Sequence, residues 1–239
     1  MRMILIVFPF LALGACGVGN GASPDTGPAG AKRFMVGSFD SVSLEGSDNV
    51  RVVRGSGTSV VASGPQTVLD KLDIRVEGST LKVGRKRQGS GTYRNRDKSA
   101  AVTVTVPSIR AAAIAGSGDM MLDRADGETF DGSVAGSGSM QIASLTVKRA
   151  SLSIAGSGDL MALGTSDDSR LSIAGSGNLD AARLQSRRTD ISIRGSGNAR
   201  VSASNSAAIS LTGSGDATVI GTAKCTVTKK GSGVARCGQ

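Results

Sequence analysis

The side chains able to do chemistry here are carboxylates, guanidinium and ammonium groups, hydroxyls and three cysteines, because the chain contains no histidine. That absence removes Ser-His-Asp and Cys-His nucleophilic catalysis and most transition-metal sites. Two clusters combine acid and base in a non-repeating way: Asp167, Asp168 and Arg170, and Arg187, Arg188 and Asp190. A polysaccharide-cleaving enzyme would need such a cluster on one face, although charges in connecting segments are ordinarily solvated. A second set recurs. Asp119, Asp159, Asn178, Asn198 and Asp216 each follow a Gly-Ser-Gly triplet, with Ser139 in the same place. These residues suit turn capping, since Asp and Asn hydrogen-bond nearby backbone; stacked one above another they could instead share calcium ions, if enough oxygens converge. A residue repeated in every unit serves the fold before it serves catalysis. The third set is the basic run 84–98, with Arg85, Lys86, Arg87, Arg94, Arg96 and Lys98 around the single Tyr93. It reads as a solvated loop or as a contact with phosphate-bearing lipids or acidic polysaccharide, where clustered cations raise local affinity.

The elements that hold these groups follow from one period. Gly-Ser-Gly begins at Gly116, Gly136, Gly156, Gly175, Gly195, Gly213 and Gly231, every 18 to 20 residues. Self-similarity at such a period marks a solenoid. Apolar residues fall two and four positions before the first glycine, as in Ile154 and Leu152, and four and six after it, as in Leu160 and Ala162. Alternation with period two makes both arms strands with one buried face. Between the apolar positions, Ser133, Ser153, Ser172, Ser192 and Ser210 form an outward row, suited to a solvated surface or to a glycan. Each unit is thus expected to be strand, sharp corner, strand and a variable return segment, such as 165–169 or 203–206. The predicted fold is all-β, a parallel β-helix with coils of about 20 residues. Its narrow aliphatic interior accounts for an aromatic content of 3%.

The N-terminal part is irregular but β-rich. Strands are expected at 42–44, 50–53, 59–63 and 101–106, with a hairpin of 72–76 and 80–83 around Glu77-Gly-Ser79 and a short helix after Pro65. Gly55-Ser-Gly57 reads as an early copy of the corner. This region should begin the stack and hide its first edge.

The first residues, Met1 to Cys16, carry a positive charge, a short apolar run and small residues, the pattern of an export signal. Leu13-Gly-Ala-Cys16 resembles the bacterial lipobox, which implies lipidation at Cys16, and Gly17 resembles sorting to the outer membrane; an ordinary signal peptide is the alternative. The expected organisation is a signal over 1–15, a flexible tether over 16–33, and a single β-helical domain over 34–239, irregular over 34–110 and regular over 111–239. Cys225 and Cys237 lie six residues before and after Gly231, on opposite arms. Facing arms and an oxidising compartment predict a disulfide that closes the end of the solenoid. Without histidine, two thiols do not complete a zinc site. The formal charge of +9 invites a polyanionic partner, but without aromatics for base stacking nucleic acid is not expected.

With the lipobox-like Cys16, the repeated Ala-Gly-Ser-Gly-Asp corners, Val106-Pro-Ser-Ile109 and the segment Phe39-Asp-Ser-Val-Ser-Leu-Glu-Gly-Ser-Asp-Asn-Val50, the chain resembles the head-GIN-domain family. That resemblance covers about Phe34 to the C-terminus. It implies a β-helical adhesin head, often on a bacterial envelope lipoprotein, and supplies no catalytic or binding residues. An autotransporter would end in a membrane barrel of alternating strands; here no such strands follow the repeats. Three readings emerge: a non-enzymatic lipoprotein that contacts surface polysaccharide or cells, a periplasmic scaffold that binds another envelope protein through a strand edge, and a polysaccharide-acting enzyme. The expected partners are the membrane, through the N-terminal lipid, and acidic polysaccharide or an envelope protein; no cofactor or metal is expected.

Overall fold

A computed structural model describes residues 29–86 and 99–238. The predicted β-solenoid is present, with parallel coils stacked through about six turns. β8 (Ala111–Gly116), β10 (Ala125–Gly136), β11 (Ser139–Gly156), β12 (Asp159–Gly175), β13 (Asn178–Gly195) and β14 (Asn198–Gly213) pair in parallel with the corner glycines in register, Gly116 with Gly136, then Gly156, Gly175, Gly195 and Gly213.

The reason for glycine at the corner is visible at Gly175. Its φ is +133°, and a Cβ there would collide with the carbonyl oxygen of Gly156 directly beneath it. That same oxygen accepts hydrogen bonds from the amides of Ser176 and Gly177, at 2.9 and 3.1 Å. Corners therefore stack backbone on backbone, which only a residue without a side chain permits.

The variable return segments form a third strand-forming face. β11 and β12 run without a break from one corner to the next. Leu145, Val147 and Ala150 point inward on this face, and so do Ser166 and Ser169 one coil on, and Leu184, Ser186 and Thr189 after that. The buried hydroxyls satisfy one another across coils: Ser166 with Ser186 at 2.9 Å and Ser169 with Thr189 at 2.8 Å. Differences in coil length are absorbed where the arm bends into this face, between Ile142 and Leu145, Met161 and Leu163, and Ala181 and Gln185, and once within the face, between Ser186 and Arg188.

The core rows are the predicted ones, with one compensation and one departure. Phe130 is fully buried in the row continued by Ala150, Ser169 and Thr189. Two residues on along the same inward face of β10, the position held by Leu152 and Leu171 in later coils is Gly132, whose Cβ would lie 3.3 Å from the Phe130 ring and 2.9 Å from Leu152. A large residue is matched by an absent side chain beside it on the same wall, which keeps the interior at close packing. The departure is Val227, stacked on Ile209 but 46% exposed because no described coil covers it.

The stack does not begin where the chain does. β2 (Ser41–Gly46) and β3 (Asn49–Arg54) lie under β8 and β9 (Met120–Leu122), but the coil beneath them is formed later in sequence, by β6 (Thr80–Arg85) and β7 (Ala101–Val106). The corner in β2–β3 is Gly46-Ser47-Asp48, since Gly46 aligns with Gly116. Gly55-Ser-Gly57 is therefore not a corner of the stack: it joins β3 to β4 (Ser59–Pro65), and both strands pair with β7. β5 (Leu72–Glu77) forms the expected hairpin with β6, and α1 (Gln66–Leu69) buries Val68 and Leu69 at this lower end. β1 (Ala29–Phe34) pairs antiparallel with β4, so residues 29–33 belong to the sheet and not to the tether. At the other end, β15 (Ala217–Ile220), β16 (Lys224–Lys230) and β17 (Ala235–Cys237) close the stack, with the predicted Cys225–Cys237 disulfide joining the last two. Among the described residues no helix is long and apolar enough to cross a membrane.

Candidate functional site

Two outward rows border the edge where the return face meets the strand leading into the corner. One row reads Thr129, Arg149, Asp168, Arg188, Ser206 and Lys224, and the other Asp131, Ser151, Arg170, Asp190, Ala208 and Thr226, each residue one coil above the last. Between them runs the inward row of Phe130, Ala150, Ser169, Thr189 and Ala207, whose side chains point into the core. No side chain fills the outer face along this row, and the long arginines on either side wall the furrow. The result is a shallow groove along the solenoid axis, in contiguous stretches of about 360, 340 and 380 Å³.

Charges in the groove alternate from coil to coil and pair accordingly. Arg188 grips Asp168 through two hydrogen bonds of 2.5 and 3.0 Å. Arg170 lies 3.7 Å from Asp190, and beside the groove Arg187 lies 3.8 Å from Asp167 and Lys148 2.7 Å from Glu128. The Arg188 hydrogen bond, helped by the charges of Arg149 and Arg187, holds the Asp168 carboxyl below the usual carboxylate range. Both sequence clusters of acid and base thus come together here, but as ion pairs. What the groove offers is guanidinium forks, carboxylates and hydroxyls along a linear track.

The recurring Asp and Asn residues do cap, but across coils. Asp119 accepts from the Ser139 amide at 3.1 Å, Asp159 from that of Asn178 at 3.2 Å, Asn198 from that of Asp216 at 3.1 Å, and Asp216 from that of Val234 at 2.8 Å. Side-chain amides extend this ladder from Asn198 to Asn178 and from Asn178 to Asp159. Among the described residues no cluster of acidic or cysteine side chains is arranged to hold a metal ion. The serine row lies in register on the strand leading into the corner, half-buried from Ser133 to Ser192 and exposed at Ser210, and faces outward.

The basic run is divided. Arg85 is only 13% exposed and bonds Asp48 through both Nε and Nη2, so it belongs to the lower coil and not to an anion-binding surface. Lys86 is exposed and donates to the Asp70 carbonyl at 3.0 Å. Arg87, Arg94, Arg96 and Lys98, like Cys16, lie outside the described residues. Sequence reasoning missed the groove and Asp48. The groove is bounded by outward rows that come together only when coils stack, and Asp48 stands where other corners have their second glycine.

Solved structures share this architecture. A protein of Bacteroides fragilis described as a putative adhesin superposes with a TM-score of 0.83 at 22% identity, over 89% of this chain and 98% of that one. A Parabacteroides distasonis protein described as a putative lipid binding protein gives 0.72 at 21% identity, over 88% and 97%. A second protein of that species, described as a putative adhesin, gives 0.70 at 18%, over 89% and 98%. At these identities the likeness establishes the fold. No curated protein sequence matches the chain. The sequence family described as "putative auto-transporter adhesin, head GIN domain" matches residues 38–223, most of the solenoid, and the chain belongs to that family.

Proposed function

We propose that the protein is a non-enzymatic, adhesin-like component of the bacterial envelope, anchored to the outer membrane by a lipid on Cys16, whose flank contacts surface polysaccharide. The observation that carries this reading is the groove: a track crossing successive coils, walled by Arg149, Asp168, Arg170, Arg188 and Asp190. A linear polymer matches a linear track, and planar guanidinium groups supply paired donors for its carboxylates and hydroxyls. β1 enters at the lower end of the stack, beside the stems of the basic loop, so a lipid anchor would hold that end to the membrane and leave the flank free. Lys86 and the remaining loop cations would then face anionic headgroups.

The test is binding of the purified chain to an acidic polysaccharide, with Arg149→Ala/Arg170→Ala for comparison. Both side chains are exposed, so the variant should melt like the parent while affinity falls about tenfold, some 1.4 kcal/mol. Equal binding by parent and variant, or none by the parent, rejects the groove. Protease digestion on intact cells, compared with cells whose outer membrane has been opened, tests the orientation: a solenoid protected until opening rules out contact with other cells.

A further inference from the structure

The upper end of the described stack is one-sided in charge. The terminal coil carries Lys224, Lys229, Lys230 and Arg236 and no carboxylate; Arg236 reaches down to Asp216 of the coil below, at 3.8 Å. All register partners of β16 belong to β14, so its far edge pairs with no described strand. The inward row on that edge reads Cys225, Val227 and Lys229, stacked on Ala207, Ile209 and Leu211, and Val227 is left 46% exposed. Val234, 40% exposed, occupies the place of the ladder Asp or Asn, so the side-chain ladder stops at this coil. This coil also lies beyond residue 223, where the family match ends.

An unpaired edge is a template for another strand. Lysines along it exclude one class of partner: a second copy paired edge to edge would bring Lys224, Lys229 and Lys230 against their equivalents. A neutral strand gains nothing from them, whereas an acidic one gains at every lysine. We infer that β16 is a docking edge for an extended acidic segment of another protein, which adds as the next strand of the stack. Register sets its sequence. A parallel strand places acidic residues opposite Lys224, Lys229 and Lys230 and an apolar residue over Val227, giving the order acidic, any, any, apolar, any, acidic, acidic. Main-chain hydrogen bonds supply affinity, the covered valine adds burial, and the lysines select. The inference does not depend on polysaccharide contact: Lys224, Thr226 and Thr228 of β16 line the groove, whereas Val227, Lys229 and Lys230 do not.

The experiment titrates the full chain with the peptide Glu-Ala-Thr-Val-Thr-Glu-Glu and with a shuffled peptide of the same composition, and follows amide exchange in β16. The ordered peptide should bind at least about tenfold more tightly than the shuffled one and protect β16 amides. Lys229→Glu/Lys230→Glu, both exposed and outside the groove, should abolish that preference while the melt and polysaccharide binding stay unchanged. Equal affinity for the two peptides, binding unaffected by the double variant, or dimers of the free chain paired through β16 would each overturn the assignment. So would a variant that loses binding to acidic polysaccharide while the ordered peptide fails to bind the parent, which would make the edge a glycan contact.

Discussion

Asp48 and Arg85 meet as a bidentate pair, at 2.8 and 3.0 Å, with Asp48 fully buried. The same carboxylate accepts the amide of Ala100 at 2.8 Å. Arg85 precedes the basic loop and Ala100 follows it, so one side chain clamps both stems where the lowest coil replaces its corner with an insertion. Removing Arg85 leaves a buried charge unpaired. Arg85→Ala should therefore cost about 3–5 kcal/mol, measured by urea unfolding, whereas Asp48→Gly/Arg85→Leu, which removes both charges but leaves the buried Ala100 amide without its acceptor, should recover only part of that loss.

Phe130 and Gly132 share one volume. Phe130→Ala should destabilise by about 3–5 kcal/mol through the cavity it leaves, and Gly132→Leu alone should also destabilise, by overpacking against Phe130 and Leu152. The double variant recreates the Ala150 and Leu152 arrangement of the next coil and should be more stable than either single one. Thermal melts of the three proteins check the cycle; simple additivity would show that the two positions do not compensate.

Gly175→Ala should abolish cooperative unfolding, because the new methyl meets the Gly156 carbonyl and φ is +133°. Gly37→Ala is the matched control, with no atom within 4 Å of its Cβ, and should change stability by no more than about 0.5 kcal/mol. A Gly175→Ala protein that melts like the parent would contradict the stacked corners.

The interior hydroxyl pair Ser169 and Thr189 should show the asymmetry of buried hydrogen bonds. Ser169→Ala strands the Thr189 hydroxyl and should cost about 1–3 kcal/mol, whereas Ser169→Ala/Thr189→Val should come close to the parent. Chemical denaturation of the single and double variants distinguishes this from two independent losses.

Acid should weaken the ion-pair ladders. The carboxyls of Asp168, Glu128, Glu77 and Asp40 are all held below their ordinary values, chiefly by hydrogen bonds from Arg188, Lys148, Lys82 and Arg110 respectively. A depressed folded value means that the stabilisation is fully present above the unfolded value and is lost as pH falls through the folded one. Melting temperature should therefore drop as pH descends through and below the ordinary carboxylate range, and Asp168→Asn should show a shallower drop. These groups are exposed and screened, so raising the salt concentration should shrink the difference.

How much of this could be read beforehand depended on whether a residue's partners lie one repeat away. Ile154 and Leu152 declared themselves inward because the same alternation recurs in every coil, and Cys225 and Cys237 could be paired because the corner between them fixes which arms they occupy. Ser166 and Ser169 did not. A hydroxyl is legible as interior only once its partner, here Ser186 or Thr189, is known to stack on it. Asp48 was hidden for a related reason: it substitutes for a glycine in the coil that later strands slide beneath, and no local pattern announces that β6 and β7 pass below β2 and β3. Arg85 looked like one cation of six because its partner lies 37 residues earlier. The groove is a property of rows and not of any segment, since its walls and floor are assembled from coils that contribute two or three residues apiece.

Coils of unequal length stay in register because their surplus or missing residues are absorbed after Ile142, Met161 and Ala181, at the bend, and after Ser186 within the return face. This gives the molecule an adjustable height. A deletion of one whole coil should shorten it by about 4.8 Å and bring the next pair of flank residues into the vacated level, so that the groove loses a rung without losing its line. Small insertions at the bend should leave height and rungs alone. The height of the stack and the chemistry of the flank can thus vary separately in such a chain, the first by counting coils and the second by changing single side chains on a rigid frame.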